Sequence, residues 1–186
     1  MRRPKNEFDA SVGSPGLRAA LEAITRRYDP DPVREQLADV SSLRKCNPHS
    51  IEIVEAVDHA VAGPGQFNCY MYALNIHDSA KIARLLANTT RPLGNGFIRW
   101  LIQTRRLKPT TDALQSNDLI VYADEEGPKH AGRWDGSAVI SKWGLAHLWR
   151  HGMFEVPNRY GHIVRSYCGV KASQAEKWFI DHLSPR

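Results

Sequence analysis

The sequence is poor in cysteine: there are three in 186 residues, and Cys46, Cys69 and Cys168 stand far apart. An odd, scattered set argues against a disulfide framework, and the lack of a CxxC pair removes the usual zinc-site spacing. No apolar run approaches the roughly 20 residues that a membrane span needs, so no membrane-spanning segment is expected. The start, Met1-Arg2-Arg3-Pro4-Lys5, leads into no apolar stretch. That predicts no secretory signal and a cytoplasmic, reducing setting, with export by a dedicated machine left open. Internal repeats, low-complexity segments and the DNA- or RNA-binding signature strings are also missing.

What is present suits one folded unit. With 42% hydrophobic and 24% charged residues, the chain can bury a core unaided, and a single domain over residues 1–186 is expected. The net charge is +5, but Arg26-Arg27 and Arg105-Arg106 with Lys108 are small clusters rather than a stripe. Such pairs read as solvated helix faces, and nucleic acid is not the expected partner.

The first 15 residues, with Pro4, Gly13 and Pro15, read as a loose arm. From Gly16 to Tyr28, Leu17, Leu21 and Ile24 recur at helical spacing, and Pro30 and Pro32 end that helix before a short one from Val33 to Val40. Ser50 is placed to cap a helix through Ala62, with Ile51, Val54, Val57 and Val61 on one face. After Gly63-Pro64-Gly65 a helix is expected from Tyr70 to Asn88, and another within Gly94 to Leu107. Strands follow: Leu119 to Ala123, Lys129 to Trp134, Ser137 to Ser141 and His162 to Tyr167, with a closing helix from Ser173 to Leu183. Helices first and hairpin-linked strands later give an α+β pattern with an antiparallel sheet. The division expected is a helical N-terminal portion over 1–62 and a core over 63–186.

Cys69 is the candidate nucleophile. It falls where a helix begins, and unpaired N–H groups there stabilise a thiolate. His130, on a predicted strand, is the candidate base. Asp135-Gly136 reads as a two-residue hairpin turn, which places His130 opposite Ser141 and makes Ser141 the residue that orients the imidazole. Gln66 and Asn68 could donate to an oxyanion beside the Cys69 N–H, and Asn68 could equally cap the helix. Lys142 and His147 are placed to line the same cleft. His147 and His151 stand four apart, as two ligands on a helix would, but no HExxH string accompanies them and no metal is expected. Cys46 and Cys168 read as structural.

In this order the residues resemble the papain-like fold, and within it the NlpC-type cell-wall peptidases. The carriers are Cys69, then Asn117-Asp118-Leu119-Ile120-Val121, then His130-Ala131-Gly132-Arg133-Trp134, with Ser141 standing where that family has its third polar residue. An uncharacterised papain-like group with NCxAxAxG, HAAR and SKxG strings is similar at Asn68-Cys69-Tyr70-Met71-Tyr72-Ala73-Leu74, His130-Ala131-Gly132-Arg133 and Ser141-Lys142-Trp143-Gly144. The resemblance implies a cofactor-free thiol hydrolase acting on a peptide, amide or ester. Asn68 and Tyr70-Met71 depart from the Asp and Ser-Gly usual around the peptidase cysteine. An acyltransferase on the same residues, an inactive papain-like binding module and a basic nucleic-acid-associated protein are the alternatives.

Overall fold

Leu119-Ile120-Val121-Tyr122-Ala123 has no polar alternation because both its faces are covered, and it forms an interior strand of a seven-stranded sheet. The computed structural model describes residues 7–9, 14–26, 32–56, 67–88, 93–144 and 147–184. The elements in chain order are β1 (Glu7–Asp9), α1 (Pro15–Thr25), α2 (Pro32–Leu43), β2 (Glu52–Glu55), α3 (Cys69–Ala73), α4 (Ala80–Ala87) and α5 (Asn95–Gln103). After them come β3 (Leu119–Asp124), β4 (Gly127–Trp134), β5 (Val139–Lys142), β6 (Leu148–His151), a 3-10 turn (Asn158–Tyr160), β7 (Ile163–Tyr167) and α6 (Ala172–Leu183). The strand order is β1-β7-β3-β4-β5-β6-β2, and each neighbouring pair is antiparallel. The chain is therefore α+β with an antiparallel sheet.

Period-two alternation divides the core. Leu119, Val121, Ala131 and Tyr167 face α3, α4, α5 and α6, packing with Met71, Leu74, Ile82, Phe97, Leu101 and Phe179. Ile120, Tyr122, Val139, Trp149 and Val164 face the other way, against Leu17, Leu21 and Ile24 of α1 and Val40 of α2. Among the described residues no helix is long and apolar enough to cross a membrane.

Four expectations are corrected. The helix expected from Ser50 through Ala62 is a strand at Glu52–Glu55, pairing with β6, and its remainder from residue 57 lies outside the described residues. The β-branched Ile51, Ile53 and Val54 suit a strand, and Glu155 fixes its entry by accepting from the Ser50 N–H and hydroxyl. The single helix expected from Tyr70 to Asn88 is broken into α3 and α4, since Asn75 takes a left-handed φ of 59° and Ser79 caps α4 anew. The arm contributes β1, and with β2 it ties the N-terminal portion into the same sheet, so that portion is not purely helical and the sheet is not small. Leu148–His151 is a strand, so His147 and His151 do not share a helical face.

The hairpin register also differs. Trp134 pairs with Val139 and Arg133 with Ile140, a slip of two residues from the expected pairing. The turn spans Asp135 to Ala138 because the Asp135 carboxylate accepts the N–H groups of Ser137 and Ala138, each at 2.8 Å. Its other oxygen takes the Arg150 Nε at 2.6 Å. A two-residue slip keeps His130 and Ser141 on one face but separates them by one pleat, about 6.6 Å along the strand. Gly132 takes the place beside Ser141, where a Cβ would sit 2.9 Å from the serine Cβ and 2.7 Å from the Ile140 oxygen.

Candidate active site

Asn68 starts α3 from extended backbone, its Oδ1 accepting the N–H groups of Tyr70 and Met71, both at 3.0 Å. Its Nδ2 donates to the Leu93 carbonyl at 2.7 Å. The Asn68 amide is thus spent on holding the helix start, and Gln66 lies outside the described residues. Cys69 follows as the first residue of α3, half-buried, with its sulfur taking backbone N–H groups that include that of Ala131 on β4. Burial pushes the thiol up to about 12, and these backbone N–H groups only partly offset it. The lowered pKa expected of a helix-start cysteine is therefore not found; desolvation outweighs a helix only five residues long.

His130 precedes Ala131 but projects to the opposite face of β4, beside Tyr122. Its ring lies flat on Tyr160, with centroids 3.8 Å apart and planes within 7°. The residue is 1% exposed, and among the described residues Nε2 has no hydrogen-bond partner. Burial first, then the nearby charges of His151 and Arg159, hold its pKa well below the ordinary imidazole value, so it is a neutral base. Among the described residues no hydrogen bond joins Cys69 and His130.

Ser141 is fully buried and bonds His151 rather than His130. His151 Nδ1 faces the Gly152 carbonyl at 2.8 Å and must donate to it, which leaves Nε2 to accept the Ser141 hydroxyl at 2.8 Å. The serine oxygen in turn accepts Trp143 Nε1 at 3.1 Å. The role expected for Ser141, orienting His130, is thus replaced by a Trp143–Ser141–His151 chain beneath the same face. Lys142 points the other way, 4.4 Å above the Phe67 ring on the α3 side, and burial lowers its pKa against the pull of Glu55. His147 is buried edge-on to Trp149, with centroids 5.4 Å apart. Among the described residues no group of three or more His, Cys, Asp or Glu is arranged to hold a metal.

Tyr160 and the residues that place it carry no sequence signal of their own. Arg18 looks like a solvated position on α1, yet it is 4% exposed and donates to the carbonyls of Val156 (3.1 Å), Pro157 (3.5 Å) and Gly161 (2.6 Å). Glu22 accepts the Arg159 N–H at 2.9 Å, and the Arg159 side chain donates to the Thr25 carbonyl at 3.2 Å. Helix α1 therefore clamps the 156–161 segment and sets Tyr160 against His130. Only a contact between α1 and a distant loop reveals this, and no local pattern encodes it.

The buried histidines give the fold an acid-labile element. Burial holds His151 at about 4, against the Gly152 bond and Glu155, which raise it. The folded pKa lies below the ordinary 6.5, so the stabilising preference for neutral imidazole is complete above pH 6.5. It is lost as pH falls from 6.5 towards 4, by about 3 kcal/mol, and His130 adds in the same direction. The urea midpoint is expected to drop between pH 7 and pH 4.5, and to drop less in His151→Gln. Equal drops in both proteins would contradict the burial of a neutral His151.

Comparison with protein-family models, with curated proteins and with solved structures gave no match.

Proposed function

We propose that the chain is a thiol hydrolase of papain-like type, in which Cys69 attacks an amide or ester carbonyl and His130 accepts the thiol proton. One observation carries this reading: the Cys69 sulfur takes the backbone N–H of Ala131 on β4, and the residue before it, His130, is a neutral histidine whose buried Nε2 has no partner among the described residues. Unpaired buried nitrogens are rare in folded proteins, and a catalytic task is one of the few reasons to keep one. Both groups are neutral at rest. In this reading proton transfer accompanies attack. The same residues would pass an acyl group to an amine or alcohol. Lys142 over Phe67 and Arg133 over Tyr72 line the α3 side of this region.

His130→Ala tests the base role. With p-nitrophenyl acetate or a peptide anilide, kcat/KM is expected to fall by about 10²–10⁴, while His151→Gln, which is off the proton path, falls much less. Undiminished turnover in His130→Ala would sink the assignment. A second reading, a binding module on the same scaffold, is favoured by the lack of a Cys69–His130 hydrogen bond, and predicts no turnover from the wild type at all.

A further inference from the structure

The proposed thiol chemistry needs donors for the oxyanion formed on attack, and the Asn68 side chain is already engaged elsewhere. The Asn68 amide is occupied by Leu93. Helix α3 offers the Cys69 N–H, but one donor is fewer than such sites generally use.

We infer that the Tyr160 hydroxyl is the second oxyanion donor, resting on the thiol-hydrolase reading and extending it to a residue outside the helix and strand that carry Cys69 and His130. Tyr160 is 6% exposed, and among the described residues no acceptor takes the proton of its Oη. A buried phenol normally finds an acceptor, and leaving it without one is costly. The Arg159 guanidinium beside it can donate but not accept, so it does not take up the phenol proton. The ring is stacked on His130 and the residue closes the 3-10 turn that packs on β3 and β4. Cys69 at the start of α3 is near enough for its thiolate to oppose ionisation of both Tyr160 and Tyr70, which keeps the phenols protonated as donors. Tyr70 is unsuited to the task, because its hydroxyl already donates to Asn95 Oδ1 at 2.7 Å.

The step balances without further reagents. Sulfur bonds to the carbonyl carbon, the thiol proton passes to His130 Nε2, and the C=O π pair moves to oxygen, which accepts from Tyr160 O–H and Cys69 N–H. Collapse restores the carbonyl and expels the leaving group. An amine takes the proton back from His130; a nitrophenolate leaves as the anion, and His130 then releases its proton to solvent water. The thioester is then hydrolysed by water, with His130 as base.

Tyr160→Phe keeps the stacked ring and removes only the donor. Rapid mixing with p-nitrophenyl acetate is expected to show Cys69 acylation slowed about 10²–10³-fold. Alkylation by iodoacetamide, which forms no oxyanion, should stay within about threefold. Unchanged acylation, or equal slowing of both reactions, would overturn the role of Tyr160 while leaving Cys69 as nucleophile. Failure of the wild type to acylate at Cys69 would instead overturn the hydrolase reading and this inference with it. Should Tyr160→Phe not fold, 2,3,5-trifluorotyrosine at position 160 keeps the hydroxyl and makes it more acidic. Its acylation rate should then differ from the wild type several-fold with alkylation unaltered, and identical acylation rates would overturn the role.

Discussion

Gly161→Ala is expected to destabilise the protein by about 3–5 kcal/mol, as large an effect as a single substitution away from the core commonly has. Gly161 has φ 92°, which side chains other than glycine's rarely tolerate. A Cβ there would overlap the Ala123 carbonyl group and stand 2.9 Å from the Asp124 nitrogen. Those atoms belong to β3, an interior strand of the sheet, so they cannot yield without breaking pairs with β4 or β7. The alternative is for the 156–161 segment to lift, breaking the Arg18 bonds and withdrawing Tyr160 from His130. Either way the urea midpoint falls, and any hydrolysis falls with it. A variant as stable as the parent would show that this turn does not lie against β3.

Cys69→Ala is expected to abolish ester and amide hydrolysis, by more than about 10³-fold, with the far-UV circular dichroism unchanged. The loss should not be accompanied by the hyper-reactivity of a resting thiolate. Burial raises the thiol from 9.0 to about 12, so ionisation alone makes alkylation of Cys69 at pH 7 roughly a thousandfold slower than that of an ordinary thiol. The exposed Cys46 and Cys168 provide the internal comparison. Rapid alkylation of Cys69 at pH 6 would mean a preformed thiolate–imidazolium pair, contrary to two neutral groups.

The parts legible in the sequence are those where near neighbours decide the outcome. The apolar run of β3, the three- and four-residue spacing of Leu17, Leu21 and Ile24, and the Asn68 cap before Cys69 all act within a few residues. The hairpin register was not legible, because Asp135-Gly136 alone says two residues. The four-residue turn depends on Arg150, which arrives from β6 to hold the carboxylate. Strand β2 was not legible either: it is an edge strand with all four residues exposed, so it lacks the alternation that marks a half-buried strand. The site divides in the same way. Cys69 and His130 stand out by residue type and position, whereas Tyr160 is placed by Arg18, which bonds Gly161 from 143 residues earlier. Ser141 has the expected face but another partner, His151.

The central claim is that Cys69 takes an acyl group from a carbonyl substrate, and peptide mapping by mass spectrometry after brief mixing with p-nitrophenyl acetate tests it most directly. The acetyl group should appear on Cys69, labile to hydroxylamine, ahead of Cys46 and Cys168, although iodoacetamide at the same pH marks those exposed cysteines first. Acetylation that follows exposure as alkylation does, favouring Cys46 and Cys168 over Cys69, would contradict it.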